Sequence, residues 1–262
     1  MTSCELHFEL AGRDSAPALL LGGSLGTTLR MWEPQVRALE SQLRLVAFDH
    51  RGHGGSPGPP GPYEIADLGR DVLALLDRLG LERACYCGVS IGGMVGLWLG
   101  VNAAERVDRL VLISTSAHMD GAAFLQRAAA VRAAGTPEVV ADAVVSRWFT
   151  PRWAAQHQDV AARYREMISA TPAEGYAGCC EAVASFDLRG ELSRMAAPTL
   201  VIAGSGDPAT PPEHGRLIAQ AVPDGRLVVV EQAAHLASVE QADAVTSLIA
   251  GHLEVIEADK ER

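Results

Sequence analysis

The pentapeptide Gly88-Val89-Ser90-Ile91-Gly92 sets one hydroxyl between two glycines. The short apolar run ACYCG, residues 84–88, leads into it, and Met94, Val95, Leu97, Trp98, Leu99 and Val101 follow with helical spacing. A strand that turns sharply into a helix lifts the side chain at the turn clear of the backbone. Glycines two residues before and after remove the side chains that would collide there. The first N–H groups of the helix point into the same space. Ser90 is therefore the candidate nucleophile, and the Ile91 N–H a candidate donor to an oxyanion. Such a pentapeptide also serves as a plain glycine-rich turn, so the reading depends on partners.

A serine needs a base, and the base needs a carboxylate that fixes its tautomer. With a nucleophile on a strand-to-helix turn, the order along the chain is Ser, then Asp or Glu, then His. Histidines occur at 7, 50, 53, 118, 157, 214, 235 and 252. Chain order sets aside the first four. His157 falls in a helical stretch, His214 in the loop PPEHG, and His252 in the last helical pattern. His235 follows the buried run RLVVVE, at the carboxyl end of a strand, where open α/β sheets bind ligands. Asp207 follows the run PTLVIA within TLVIAGSGDPATPP. Alone, Asp207 reads as a turn residue and His235 as a polar helix start. In order, each after a buried strand, they complete a set with Ser90. A second oxyanion donor is expected from the loop Gly22-Gly-Ser-Leu-Gly-Thr-Thr28, with the Leu25 amide donating and Ser24 shaping the substrate side.

These residues need strands that end together. Runs at 17–23, 43–48, 84–88, 108–113, 198–203 and 226–231 are short and apolar without polar alternation. That pattern suits strands buried on both faces of a mostly parallel sheet. ELHFEL, residues 5–10, is expected to add an edge strand. Ile65, Leu68, Val72, Leu75, Leu76 and Leu79 recur at three and four and predict a helix ending near Gly80. Strands alternating with helices give an α/β layer fold. From about 120 to 190 only helical patterns occur, broken at Gly135-Thr-Pro137, Thr150-Pro151, Thr171-Pro172 and Gly175. This predicts a helical insertion over the sheet.

The chain has 262 residues, 48% of them apolar, and a formal charge of −10. An acidic chain without clustered Lys and Arg argues against a nucleic-acid partner. No apolar stretch reaches the roughly 18 residues a membrane span needs. The start MTSCELHFEL lacks the basic and apolar regions of a signal peptide. Five cysteines without framework spacing predict free thiols in a reducing cytoplasm, with no metal site.

The chain resembles the α/β-hydrolase superfamily over its length. It is most similar to the 3-oxoadipate enol-lactone hydrolases in the segments at 22–36, 45–59, 63–81, 87–100 and 147–153 (RWFTPRW). Gly23 stands where those enzymes commonly have asparagine. The resemblance implies an α/β-hydrolase fold, with a mostly parallel sheet flanked by helices. The core would comprise 1–115 and 191–262, and a helical cap 116–190. It implies no metal or organic cofactor, and a small lactone substrate bearing a carboxylate. Arg132, Arg147 and Arg152 are the nearby cations, Arg147 first and Arg132 second as partners of that carboxylate. Trp148 is a candidate pocket wall, and Arg51 is expected to support its loop. Other readings stay open: a carboxylesterase, a carbon–carbon bond hydrolase, a perhydrolase, or a ligand-binding receptor on the same fold. The oligomeric state is not legible.

Overall fold

Residues 3–254 are described by a computed structural model. The apolar runs form one sheet of seven strands: β1 Phe8–Gly12, β2 Ala18–Gly22, β3 Arg44–Phe48, β4 Ala84–Val89, β5 Val107–Ile113, β6 Thr199–Gly204 and β7 Gly225–Val230. Their spatial order is β1-β3-β2-β4-β5-β6-β7. Every neighbouring pair is parallel except β1 with β3. The edge strand runs over 8–12 rather than 5–10, because the residues before it are tied elsewhere. The Cys4 N–H donates to Asp71 (2.6 Å), Leu6 enters the core, and the His7 N–H donates to Ser56 Oγ (2.8 Å).

Helices α1 (Glu33–Leu39), α2 (Ile65–Arg78) and α3 (Ile91–Asn102) flank this sheet. The start of α2 is fixed by reciprocal bonds between Glu64 and Asp67, and it buries Ile65, Leu68, Val72, Leu75 and Leu76. After β6 come α9 (Pro212–Ala221), α10 (Ala237–Glu240) and α11 (Ala242–His252), numbered past the insertion. From α1, the Gln35 amide donates to Ser238 O and Thr246 Oγ1, joining that helix to α10 and α11.

The insertion between β5 and β6 carries α4 (Gly121–Ala134), α5 (Glu138–Val145), α6 (Pro151–Gln156), α7 (Gln158–Ala170) and α8 (Ala173–Ser185). Gly135 closes α4 in the left-handed region at φ 71°, and Pro151 opens α6. Gly175, expected as a break, lies inside α8. A Cβ there would sit 2.2 Å from the Gly52 carbonyl oxygen, so glycine serves the close approach of α8 to the 49–58 loop rather than a turn. The break at His157, between α6 and α7, carries no glycine or proline and is not expected from composition. The base of the insertion is closed where the Leu188 N–H donates to Ala117 O (2.9 Å).

Among the described residues, no helix is long and apolar enough to cross a membrane, and the five cysteines are all free thiols. The ion pair between Arg51 and Asp71 is wholly buried. Arg51 grips Asp71 through Nε (2.6 Å) and Nη2 (2.7 Å), with 0% and 1% of the two side chains exposed. Arg51 thus supports its loop, as expected. Asp71→Ala leaves the guanidinium buried without this carboxylate, which is expected to cost about 3–5 kcal/mol. Urea unfolding checks it, and an unchanged midpoint would refute that cost.

Candidate active site

The turn from β4 to α3 holds Ser90 at φ 57° and ψ −115°, a conformation that costs a non-glycine residue about 1–3 kcal/mol. Its neighbours leave no alternative. A Cβ on Gly88 would lie 2.3 Å from the Gly92 carbonyl, and one on Gly92 would lie 2.3 Å from Gly22 O. The Ser90 N–H donates to Ile113 O (2.9 Å), and its carbonyl accepts from Thr115 Oγ1 (2.7 Å). The strained residue is therefore fixed at both backbone ends, with its side chain half-buried at the carboxyl end of the sheet.

Two strands along, the loop after β6 supplies Asp207 and the loop after β7 supplies His235. His235 Nδ1–H donates to Asp207 Oδ2 (2.9 Å), and both side chains are almost wholly buried. Asp207 also accepts from the N–H groups of Ala209 (2.8 Å) and Thr210 (3.1 Å) and from Thr210 Oγ1 (2.7 Å). Burial alone would push the Asp207 carboxyl up. The His235 ring and the Thr210 donors outweigh it and hold the group at about 2. His235 Nε2 has no partner among the described residues, and it forms no hydrogen bond with Ser90 Oγ.

The His235 loop is also tied to the insertion. The Leu236 N–H donates to Trp148 O (2.9 Å). The buried Glu240 carboxylate accepts from the Ala234 N–H (2.8 Å), the Thr150 N–H (3.1 Å) and the Thr150 hydroxyl. Neither Thr210 nor Glu240 is marked by any motif in the sequence. Their roles depend on loops distant along the chain.

Across the turn, the loop over residues 22–28 is braced by two histidines. His50 Nε2–H donates to Gly23 O (3.1 Å). His53 accepts the Gly26 N–H at Nε2 (2.9 Å) and donates from Nδ1 to Arg51 O (3.1 Å). Burial, and then the neighbouring His53, pushes His50 down to about 3, so it stays neutral. Among the described residues neither the Leu25 nor the Ile91 N–H has an acceptor.

A cavity of about 210 Å³ joins these parts, lined by Ser90, His235, Ser24 and Leu25 from the core and by Arg147 and Trp148 from the insertion. Phe124 and Arg127, on α4, also line it. Arg132, expected at the substrate, does not. Its guanidinium binds Glu174 (3.1 Å) and Glu181 instead. The reason is helical geometry. Asp120, Phe124 and Arg127 recur at three and four and face the cavity, whereas Arg132 lies about 140° around the helix from Arg127. Arg152 is exposed and outside the cavity. A larger groove under β1, of about 340 Å³, contains none of these groups. Among the described residues no cluster of His, Cys, Asp or Glu could hold a metal ion.

A family model described as alpha/beta hydrolase fold matches residues 17–242. The chain is 39% identical over 241 residues to 3-oxoadipate enol-lactonase 2 of Acinetobacter baylyi, covering 91% of this chain and 89% of that one. It is similar to the solved enol-lactonase from Burkholderia xenovorans, with a TM-score of 0.93 and 40% identity over 96% of this chain and 97% of that one. A hydrolase from Pseudomonas aeruginosa gives a TM-score of 0.92 at 43% identity, over 95% and 94% of the two chains.

The low position of Asp207 has a consequence for acid stability. Its folded value lies below the unfolded one, so its contribution is present above about pH 4 and is lost as pH falls through about 2. The contribution is on the order of 2 kcal/mol. Asp207→Asn is expected to be less stable than the wild type at pH 5, and the gap to close as pH approaches 2. Thermal unfolding across that range checks it, and a gap independent of pH would refute it.

Proposed function

The chain belongs to the α/β-hydrolase family, and from that premise we propose that it is a carboxylic ester hydrolase that opens 3-oxoadipate enol-lactone to 3-oxoadipate. Its relatives in Acinetobacter baylyi and Burkholderia xenovorans carry enol-lactonase names, which supports this substrate. The observation that carries the chemistry is one cavity bordered by Ser90, by the His235–Asp207 pair and by two backbone N–H groups without acceptors.

In this reading Ser90 Oγ attacks the lactone carbonyl while His235 Nε2 takes its proton. Ser90 Oγ must come within hydrogen-bond reach of Nε2 when substrate binds, since such contacts often tighten only in the complex. The carbonyl oxygen becomes negative, and the Leu25 and Ile91 N–H groups donate to it. Each such donor is worth on the order of 3 kcal/mol of barrier. Asp207 keeps the His235 proton on Nδ1 and stabilises the imidazolium. The C–O bond to the ring oxygen then breaks, and His235 returns the proton to that enol oxygen. The enol tautomerises to the ketone, leaving the chain esterified to Ser90. Water, deprotonated by His235, attacks the ester. Ser90 leaves with the proton, and the second carboxylate is released. Residues 116–190 act as the cap over this step, and Arg147 meets the substrate's own carboxylate, with Trp148 and Ser24 shaping the space. No step calls for a metal or cofactor. Five free thiols support a cytoplasmic setting.

Ser90→Ala is expected to fold and to lose at least about 10⁴-fold in kcat. A fluorophosphonate should label the wild type at Ser90, and a label elsewhere sinks the assignment. A panel of the enol-lactone, a neutral aryl ester and a carbon–carbon cleavage substrate tests the substrate. The enol-lactone is expected to give the highest kcat/KM, and a higher value for either rival replaces the proposal with that rival.

A further inference from the structure

We propose that Arg127 and Arg147 together form a site for a carboxylate remote from the reacting carbonyl, with Arg127 the second half of the clamp. The inference rests on the lactone reading above and deepens it by naming what selects an acidic substrate over a neutral one.

The two arginines reach the same cavity from different elements, Arg127 from α4 and Arg147 from the segment just after α5. Both are half-buried. Neither has a carboxylate partner among the described residues. Arg147 Nε donates to Ala143 O (3.1 Å), and the Arg127 guanidinium lies over the Phe124 ring at 4.9 Å. Elsewhere in the insertion Arg132 has Glu174 and Glu181, and Arg165 has Asp142. Asp120, the one acid lining the cavity, accepts the Ala122 N–H at the start of α4 and pairs with neither arginine.

Two guanidinium groups facing one small cavity repel each other. Burial first, and then Arg127, pushes the Arg147 guanidinium below its usual value. The buried Tyr176 hydroxyl, which has no hydrogen-bond partner of normal geometry, lies in the field of both. A carboxylate between them would relieve the repulsion and use the planar forks that suit arginine to it. The ligand class is therefore a small ester or lactone bearing a free carboxylate, with its scissile carbonyl toward Ser90.

The test compares 3-oxoadipate enol-lactone with its neutral, isosteric carboxamide on the wild type, Arg127→Ala, Arg127→Lys and Arg147→Ala. The wild type is expected to prefer the acid. Arg127→Ala should lose about 30-fold or more in kcat/KM on the acid, mainly through KM, and far less on the amide. Arg127→Lys should recover part of the preference, because it keeps the charge without the fork. If the wild type shows no preference for the acid, the acidic-substrate reading fails and the clamp with it. If the wild type prefers the acid and Arg147→Ala abolishes that preference while Arg127→Ala keeps it, the clamp falls and the lactone reading stands. Equal loss on both substrates in Arg127→Ala, with thermal unfolding unchanged, also overturns the clamp, because Arg127 would then shape the cavity without reading charge.

Discussion

The site rests on a steric constraint at one turn. Ser90 occupies a backbone region that L-residues avoid, and it stays there because β4, α3 and the 22–28 loop touch through atoms where no side chain fits. Relaxing the serine toward ordinary dihedrals would move α3 off the sheet, and α3 packs along β2, β4 and β5. The cost is held by burial of that whole layer, which is far larger than the strain itself. The same contact holds the loop that carries Leu25 against the turn that carries Ser90 and Ile91, and Leu25 and Ser90 border one cavity. The proposed nucleophile and the proposed oxyanion donors are therefore one geometric object, not three independent placements.

Polar bracing makes that object rigid where packing cannot. The 22–28 loop has one apolar anchor, the buried Leu25, and His50 and His53 add polar ones at the Gly23 carbonyl and the Gly26 N–H. His53, which accepts at Nε2, can do so only as a neutral ring, and burial favours the neutral form of both rings. Their own loop is anchored in turn by the Arg51–Asp71 pair and by Asp49, which accepts the N–H groups of Leu29 (2.7 Å) and Gly55 (2.9 Å). A charged pair at that depth is a poor source of net stability, but breaking it would release the loop that carries both histidines.

Legibility followed interaction range. The parallel strands and α2 were readable because apolar runs and periodicity are local properties, set within one element. The β1 boundary was not, because residues 4–7 are claimed by Asp71, Ser56 and the core, all distant in sequence. Gly175 misled for the same reason: composition marks a glycine, while only the fold tells a turn from a close approach. Ser90, Asp207 and His235 stood out because each follows a buried strand, so chain order carried spatial information. Among the cap arginines, choosing Arg132 over Arg127 needed the phase of α4 relative to the cavity, which its weakly amphipathic, alanine-rich sequence barely records. Thr210 and Glu240 carried no signal at all.

The helical insertion and the rest of the fold also meet through Glu240, and this bears on how charge and chemistry are coordinated. One carboxylate collects N–H groups from the His235 loop and from Thr150, two residues beyond Trp148. The proposed base and the segment carrying Arg147 and Trp148 thus share an anchor. The molecule carries a net charge of −10, which opposes the approach of an anion. That opposition comes from surface carboxylates spread over the fold, and salt screens it beyond about 8 Å at physiological strength. The cavity itself is lined by two arginines and one carboxylate, Asp120, so its lining is net positive where screening is weak. An anionic substrate would therefore meet mild repulsion at long range and strong attraction only after entering. Such a field contributes to selectivity at the site more than to the speed of encounter.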